Sequence, residues 1–173
     1  MNKILTVVDM QNDFISGTLG SDRAREITAA AAEKIRGFYG KIFVTMDTHG
    51  HDYMTTHEGR HLPVEHCIKN THGWELCPEI LDVLRGKDFT VIEKPSFGSA
   101  ELINAMKPYV GSDTKIELIG LCTDICVISN ALLIRTFFPE NDISVDSGCC
   151  AGVTPLSHEA ALTAMRSCQI NVY

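Results

Sequence analysis

At 173 residues the chain is long enough to bury one sizeable core and has the length of a single domain. Hydrophobic residues make up 45% and charged residues 21%, a globular composition that excludes disordered and fibrous classes. A formal net charge of −7 argues against general affinity for nucleic acid or an anionic membrane, which needs clustered Lys and Arg.

In chain order, the first residues lead straight into the β-branched run around Ile4–Val8, which predicts a strand over 3–9. No long apolar stretch followed by a small-residue cleavage site precedes it, and no run reaches membrane-span length. The seven cysteines lack the regular framework of a small secreted domain, so the expectation is a reducing, cytoplasmic setting. An Ala-rich helix is predicted over 21–37, opened by Ser21 or Asp22 and closed near Gly37. Further strands are predicted over 41–47, 89–94, 114–121, 142–147 and 169–173, and further helices over 75–85, 99–109 and 124–137. The last helix opens at Thr154-Pro155, an N-cap with proline in the first helical position, and runs to Cys168.

Strands alternating with helices imply right-handed βαβ units. The predicted fold is α/β, a single-domain three-layer α/β/α arrangement with a roughly six-stranded parallel sheet and helices on both faces. Residues 48–74 break the rhythm and carry six of the seven histidines. So long an irregular insert in a compact domain is usually functional or disordered, and Trp74, Leu62 and Val64 point to order.

Ligands of open parallel sheets bind beyond the carboxyl ends of the strands. Asp9, Asp47 and Lys94 end the first three predicted strands, and Cys126 follows the fourth where the chain turns into a helix. A thiol at a helix N-terminus near a lysine is expected to favour thiolate. A nearby carboxylate can take the thiol proton and return it to a leaving amine, and free backbone N–H groups in the turn can hold an oxyanion. Each residue also has an ordinary explanation: a core cysteine, a turn-capping aspartate, a surface lysine. Four reactive groups at one sheet edge outweigh those explanations taken together.

Within the insert, Asp47-Thr48-His49 is followed by Glu58 and His66, a mixed oxygen and imidazole set suited to Zn, Fe or Mn. The competing explanation is a set of solvated loop histidines, expected to hold for most of His51, His57, His61 and His72. Cys122 and Cys126 are four apart and so spaced for a redox pair, but Cys122 falls in the strand-to-helix turn where oxyanion donors are wanted.

Three segments carry a resemblance: Val7-Val8-Asp9-Met10-Gln11-Asn12-Asp13-Phe14, Glu93-Lys94-Pro95-Ser96-Phe97, and Gly120-Leu121-Cys122-Thr123-Asp124-Ile125-Cys126-Val127. Together, in order and over residues 3–168, the chain resembles the isochorismatase-like cysteine hydrolases with their Rossmann-like fold, and within them the nicotinamidase (pyrazinamidase) branch. The resemblance implies Asp9 as base, Lys94 as cation and Cys126 as nucleophile, with a cis peptide at Leu121–Cys122 and an oxyanion hole from the N–H groups of Cys122 and Cys126. Cys126 itself separates the chain from true isochorismatases, which lack it. The resemblance further implies one divalent metal, zinc or else iron or manganese, held by Asp47, His49 and His66 with Glu58, or in its place His57. Hydrolysis of nicotinamide to nicotinate and ammonia in NAD salvage, through a thioester, is the activity it implies. A related hydrolase of another small amide, carbamoyl or ureido compound is the alternative, and a non-catalytic binding or redox protein of the same fold the outlier. Family members often assemble, which carries the expectation of a homo-oligomer.

The pattern departs from the family at Leu62-Pro63-Val64-Glu65, where an aromatic usually precedes the last metal histidine, and near Glu101, where a tyrosine is usual. Phe14 and Phe97 remain as candidates to contact a substrate ring.

Overall fold

The structure, a computed structural model, describes residues 2–173. The chain begins with β1 (Lys3–Val8), buried at every position after its first, as a strand covered on both faces must be. A short helix, α1 (Asn12–Ile15), follows at once. α2 (Asp22–Gly37) starts at Ser21, whose side chain accepts from the Ala24 N–H, and buries Ala24, Ile27, Ala31 and Ile35. Next come β2 (Lys41–Asp47), a 3-10 turn at Tyr53–Thr55, α3 (His57–His61) and α4 (Pro78–Leu84). β3 (Phe89–Lys94), α5 (Ala100–Met106) with a 3-10 extension, and β4 (Lys115–Leu121) lead to a π-helical turn at Thr123–Val127 that continues as α6 (Ile128–Phe137). β5 (Asp142–Ala151), α7 (Pro155–Ser167) and β6 (Asn171–Val172) complete the chain.

The six strands form one sheet in the order β3-β2-β1-β4-β5-β6, and every pairing is parallel. Two apolar layers cover it. Residues of α2 and α4 pack one face through Ile27, Ala31, Ile35, Ile80 and Leu84. Residues of α5, α6 and α7 pack the other through Leu102, Met106, Ala131, Ile134 and Met165. This is the expected single-domain three-layer α/β/α fold.

Strand order reverses between β1 and β4, so the carboxyl edge opens a crevice there, beside Asp9 and the turn that carries Cys126. The two strands approach so closely that a side chain on Gly120, at φ 118°, would collide with the Val8 backbone. Glycine at this position is what lets β4 reach the crevice in register with β1.

Element boundaries differ from expectation in instructive places. The helix predicted over 75–85 begins only at Pro78, because Leu76 instead bridges to Gln11 in antiparallel fashion. The strand predicted over 142–147 runs on to Ala151 through a register shift opposite Leu118–Gly120, and the last strand shrinks to two residues at the sheet edge. The 48–74 insert is ordered by the sheet it leaves. His49 bridges to Ile68, the His49 N–H donates to the Cys67 carbonyl, and the Trp74 indole donates to the Thr48 hydroxyl at 2.8 Å.

Candidate active site and metal cluster

Asp9 is the first residue past β1 and adopts a left-handed backbone at φ 49°, which turns its carboxylate back over the sheet edge. It is fully buried; Oδ1 accepts from the Thr45 hydroxyl at 2.6 Å and Oδ2 pairs with Lys94 Nζ at 2.7 Å. Lys94, the last residue of β3, is buried along its whole side chain. Its ammonium also lies 3.4 Å from Asp47 Oδ1, 3.4 Å from the Cys126 sulfur and 3.0 Å from the Ser96 carbonyl. Three groups distant in sequence thus share one ammonium.

Electrostatics correct one expectation. The Cys126 thiol is pushed well above its ordinary range by burial and by the Asp9 carboxylate, and Lys94 only partly offsets this. The direction runs against the thiolate that a helix end alone favours, because the desolvation cost of an anion exceeds the help from one cation and a helix end. Burial also raises Asp9 above the usual carboxylate range against the pull of Lys94. Lys94 is held protonated by Asp9, Cys126 and Asp47 despite its burial.

Cys126 lies in the π-helical turn, which starts after the Leu121–Cys122 peptide, and that peptide is cis, as the resemblance implied. Cys122 and Cys126 do not form a redox pair. The first packs against the α2–α4 layer and the second belongs to the opposite one. The neighbours Cys149 and Cys150 divide between the layers in the same way, and all seven cysteines are free.

Next to this trio, Asp47, His49, Glu58 and His66 each turn a donor atom inward, and the four donors lie within 4.8 Å of one another. His49 Nε2 is 3.0 Å and His66 Nε2 3.5 Å from Asp47 Oδ2, and both imidazoles approach Glu58 Oε1 within 3.9 Å. Burial would raise Asp47, but the two histidines and Lys94 outweigh it and hold its carboxyl well below the usual range. Two imidazoles and two carboxylates converging in a mostly buried space fit a divalent transition metal. His57, the rival fourth ligand, is exposed and stacks against His61 instead.

Several residues that build the site were not singled out from the sequence. Tyr53, fully buried, packs edge-on against the His49 and His66 rings, and its hydroxyl donates to the Leu62 carbonyl at 2.9 Å. The Gln11 amide clasps the Asp47 backbone, accepting from its N–H and donating to its carbonyl, both at 2.8 Å. Asp13 accepts the Cys67 N–H at 2.8 Å, next to His66, and lies so close to Gly73 that a side chain there would have to displace the carboxylate. The carboxamide of Gln11 and the carboxylate of Asp13 sit beside Asp9 in the first motif, so their proximity in sequence was the available signal. For Tyr53, in an insert without periodicity, there was none. Of the two phenylalanines, Phe14 is buried with its ring 5.6 Å from that of His66, and Phe97 is 44% exposed on the turn after Lys94.

The isochorismatase domain family matches residues 3–173, almost the whole chain. The chain belongs to the isochorismatase family. It is 25% identical to a nicotinamidase of Saccharomyces cerevisiae, over 75% of this chain and 80% of that one. Among solved structures it resembles a nicotinamidase/pyrazinamidase from Bacillus subtilis, with a TM-score of 0.88, 25% identity and 99% of each chain covered. It also resembles a pyrazinamidase from Pyrococcus horikoshii in complex with zinc, with a TM-score of 0.83, 26% identity, and 100% and 99% of the two chains covered. Among the described residues, no helix of this isochorismatase-family chain is long and apolar enough to cross a membrane.

Proposed function

We propose that the protein is a cysteine amidohydrolase that converts nicotinamide to nicotinate and ammonia in the cytoplasm, as a step of NAD salvage. The observation that carries the reading is the single buried ammonium of Lys94, in contact with both Asp9 and the Cys126 sulfur. A purely structural lysine would not be drawn into the core to meet a thiol.

Asp9 Oδ2, which has no well-angled donor of its own, accepts the thiol proton as Cys126 Sγ forms its bond to the carboxamide carbon. The substrate carbonyl oxygen becomes an oxyanion held by the backbone N–H groups of Cys122 and Cys126. Collapse breaks the C–N bond, and the proton held by Asp9 goes to the nitrogen, so ammonia leaves and a thioester remains. Water then gives a proton to Asp9 and attacks the thioester. Collapse expels the sulfur, which recovers the proton from Asp9, and the product leaves as the acid, which ionises to nicotinate by giving its proton to solvent or to the released ammonia. Lys94 offsets the negative charge that moves between Asp9 and Cys126 at each step, so neither anion stands uncompensated in the buried site.

Asp47, His49, Glu58 and His66 would hold a divalent ion, zinc or else iron or manganese, and Phe14 and Phe97 would contact the substrate. When bound, such an ion supplies a Lewis acid that binds the pyridine nitrogen and orients the ring. The likeness to a zinc-bound pyrazinamidase supports this assignment. The other small-amide reading, a carbamoyl or ureido substrate, is favoured by one feature. Leu62, Pro63 and Val64 offer no aromatic ring to a substrate, and Tyr53 is packed behind the ligands with its hydroxyl engaged.

The test is ammonia release from nicotinamide, pyrazinamide and small ureido compounds by the wild type and by Cys126→Ala. The reading expects turnover of the pyridine amide that is abolished in a variant whose thermal unfolding stays close to wild type. Undiminished ammonia release by Cys126→Ala would refute the nucleophile, and turnover of ureido compounds alone would move the substrate to the second reading.

A further inference from the structure

Phe97 and Cys126 sit on two segments that share no secondary structure, the turn over residues 95–99 after β3 and the π-helical turn that enters α6. One side chain joins them. Asn130 is fully buried in the first turn of α6. Its Nδ2 donates to the Cys126 carbonyl at 2.8 Å and to the Phe97 carbonyl at 3.0 Å, while its Oδ1 accepts the Ser99 N–H at 3.0 Å. The orientation of the amide is fixed by its partners, since the flipped form would set oxygen against two carbonyls. The two segments also pack tightly here. A Cβ on Gly98 would fall 2.7 Å from Leu133 Cδ1, a residue of α6.

A buried amide is costly unless it is bonded, and the neighbouring buried positions of α6, Ala131 and Ile134, are filled by apolar side chains. Closing the helix end does not need an amide either. Ser129 and Thr136 donate to the carbonyls four residues before them, Ile125 and Leu132, with a hydroxyl. What an asparagine adds is reach to a second segment.

We propose that Asn130 is a positioning residue that registers the Phe97 wall of the substrate crevice against the nucleophile, Cys126. Lys94 stays fixed by Asp9 and Asp47 without it. Loss of the clamp therefore loosens the Phe97 wall more than it disturbs the charges at the sulfur, and substrate binding suffers before chemistry does. The kinetic part of this inference rests on the nicotinamidase reading; the mechanical part does not.

Asn130→Ser separates the two roles, because a serine there retains a hydroxyl bond to the Cys126 carbonyl and loses both ties to the 97–99 turn. Hydrogen exchange followed by mass spectrometry is expected to quicken in the 95–103 segment, with the 123–130 segment unchanged. KM for nicotinamide is expected to rise about tenfold with kcat within about threefold, the scale of losing buried hydrogen bonds. In a Phe97→Ala background the same substitution is expected to leave KM unchanged, because the ring it positions is gone. Equal exchange in the 95–103 segment of wild type and Asn130→Ser would overturn the clamp. An equal rise of KM in both backgrounds would overturn its action through Phe97. If the wild type releases no ammonia from nicotinamide, the substrate reading fails, and the exchange comparison still decides the clamp. Asn130→Ala, followed in the same way, serves if the serine variant does not fold.

Discussion

Removing the shared cation should expose how the site balances stability against chemistry. In Lys94→Met the ammonium is lost from 2.7 Å beside Asp9 and 3.4 Å beside Asp47. At an effective dielectric of about 20, unit charges at those separations attract by roughly 6 and 5 kcal/mol. Desolvation of all three groups offsets much of this, so the net cost of breaking the pair is about 3–5 kcal/mol. For a domain of this size that lowers Tm by roughly 6–20 °C. The loss should depend on pH in a defined sense. Asp9 already has a folded-state pKa above its unfolded value, and Lys94 is the main group pulling it down. Without Lys94 the folded state holds the Asp9 proton more strongly than the unfolded state does. Stability is then greatest below the unfolded carboxylate pKa of about 4 and declines as pH rises through the folded value. The deficit against wild type is therefore expected to be larger at pH 8 than at pH 5. Pairing the change with Asp9→Asn removes the unpaired carboxylate and should recover a large part of the Tm, while ammonia release stays depressed by about 10³-fold or more, as for other members of a catalytic unit. The assay is thermal unfolding and ammonia release of the four proteins of this cycle at both pH values. A double variant no more stable than Lys94→Met alone would refute the buried-pair argument.

Two further outcomes are expected. A chelator should lower the Tm of the metal-loaded protein by roughly 5–11 °C, the loss of about 2.7 kcal/mol for an ion present at a hundred times its Kd. Added zinc should restore it, and His66→Ala should show neither effect; metal content by mass spectrometry and unfolding in parallel check this, and an equal response in His66→Ala would remove the ion from the cluster. His158, buried and bonded through Nδ1 to the Thr123 hydroxyl at 2.9 Å, has its pKa lowered by desolvation. Its folded value lies below its unfolded one, so the stability it contributes is present above about pH 6.5 and fades as pH falls through the folded value. His158→Gln is expected to flatten the acid side of the stability curve in urea unfolding, and an unchanged acid slope would refute the assignment.

Much of the fold was legible because it is written in local patterns. β1 and β2 are buried at nearly every position and read as apolar, β-branched-rich runs broken only by Thr6 and Thr45 before their ends. Ser21 and Thr154 mark helix starts by the same side-chain bond to a free N–H that the structure contains. Where expectation failed, a long-range contact had overridden local preference. Residues 75–77 have helical neighbours, yet Leu76 pairs with Gln11 from the middle of the first motif. Periodicity within β5 could not announce the register shift opposite β4, which depends on a partner strand whose paired residues lie 27 to 30 positions away.

The same distinction explains the site. Asp9, Asp47 and Lys94 were legible because each ends a strand, and a parallel sheet delivers strand ends to one edge whatever lies between them. Cys126 was legible because a strand-to-helix turn has the same property. Their electrostatics were not, since those depend on depth: Lys94 and Asp9 are buried to a degree that no residue type or spacing reveals, and it is burial that pushes the Cys126 thiol up. Asn130 was invisible for a related reason. Its meaning lies in a carbonyl four residues back and in two backbone groups about thirty residues away, on a turn brought alongside only by the packing of the fold. Strand ends deliver the candidate reactive groups to one edge, and buried amides and a tyrosine bond or pack against the segments that carry them. A variant that leaves Asp9, Lys94 and Cys126 untouched but breaks such a support is therefore the more demanding test of how this crevice works.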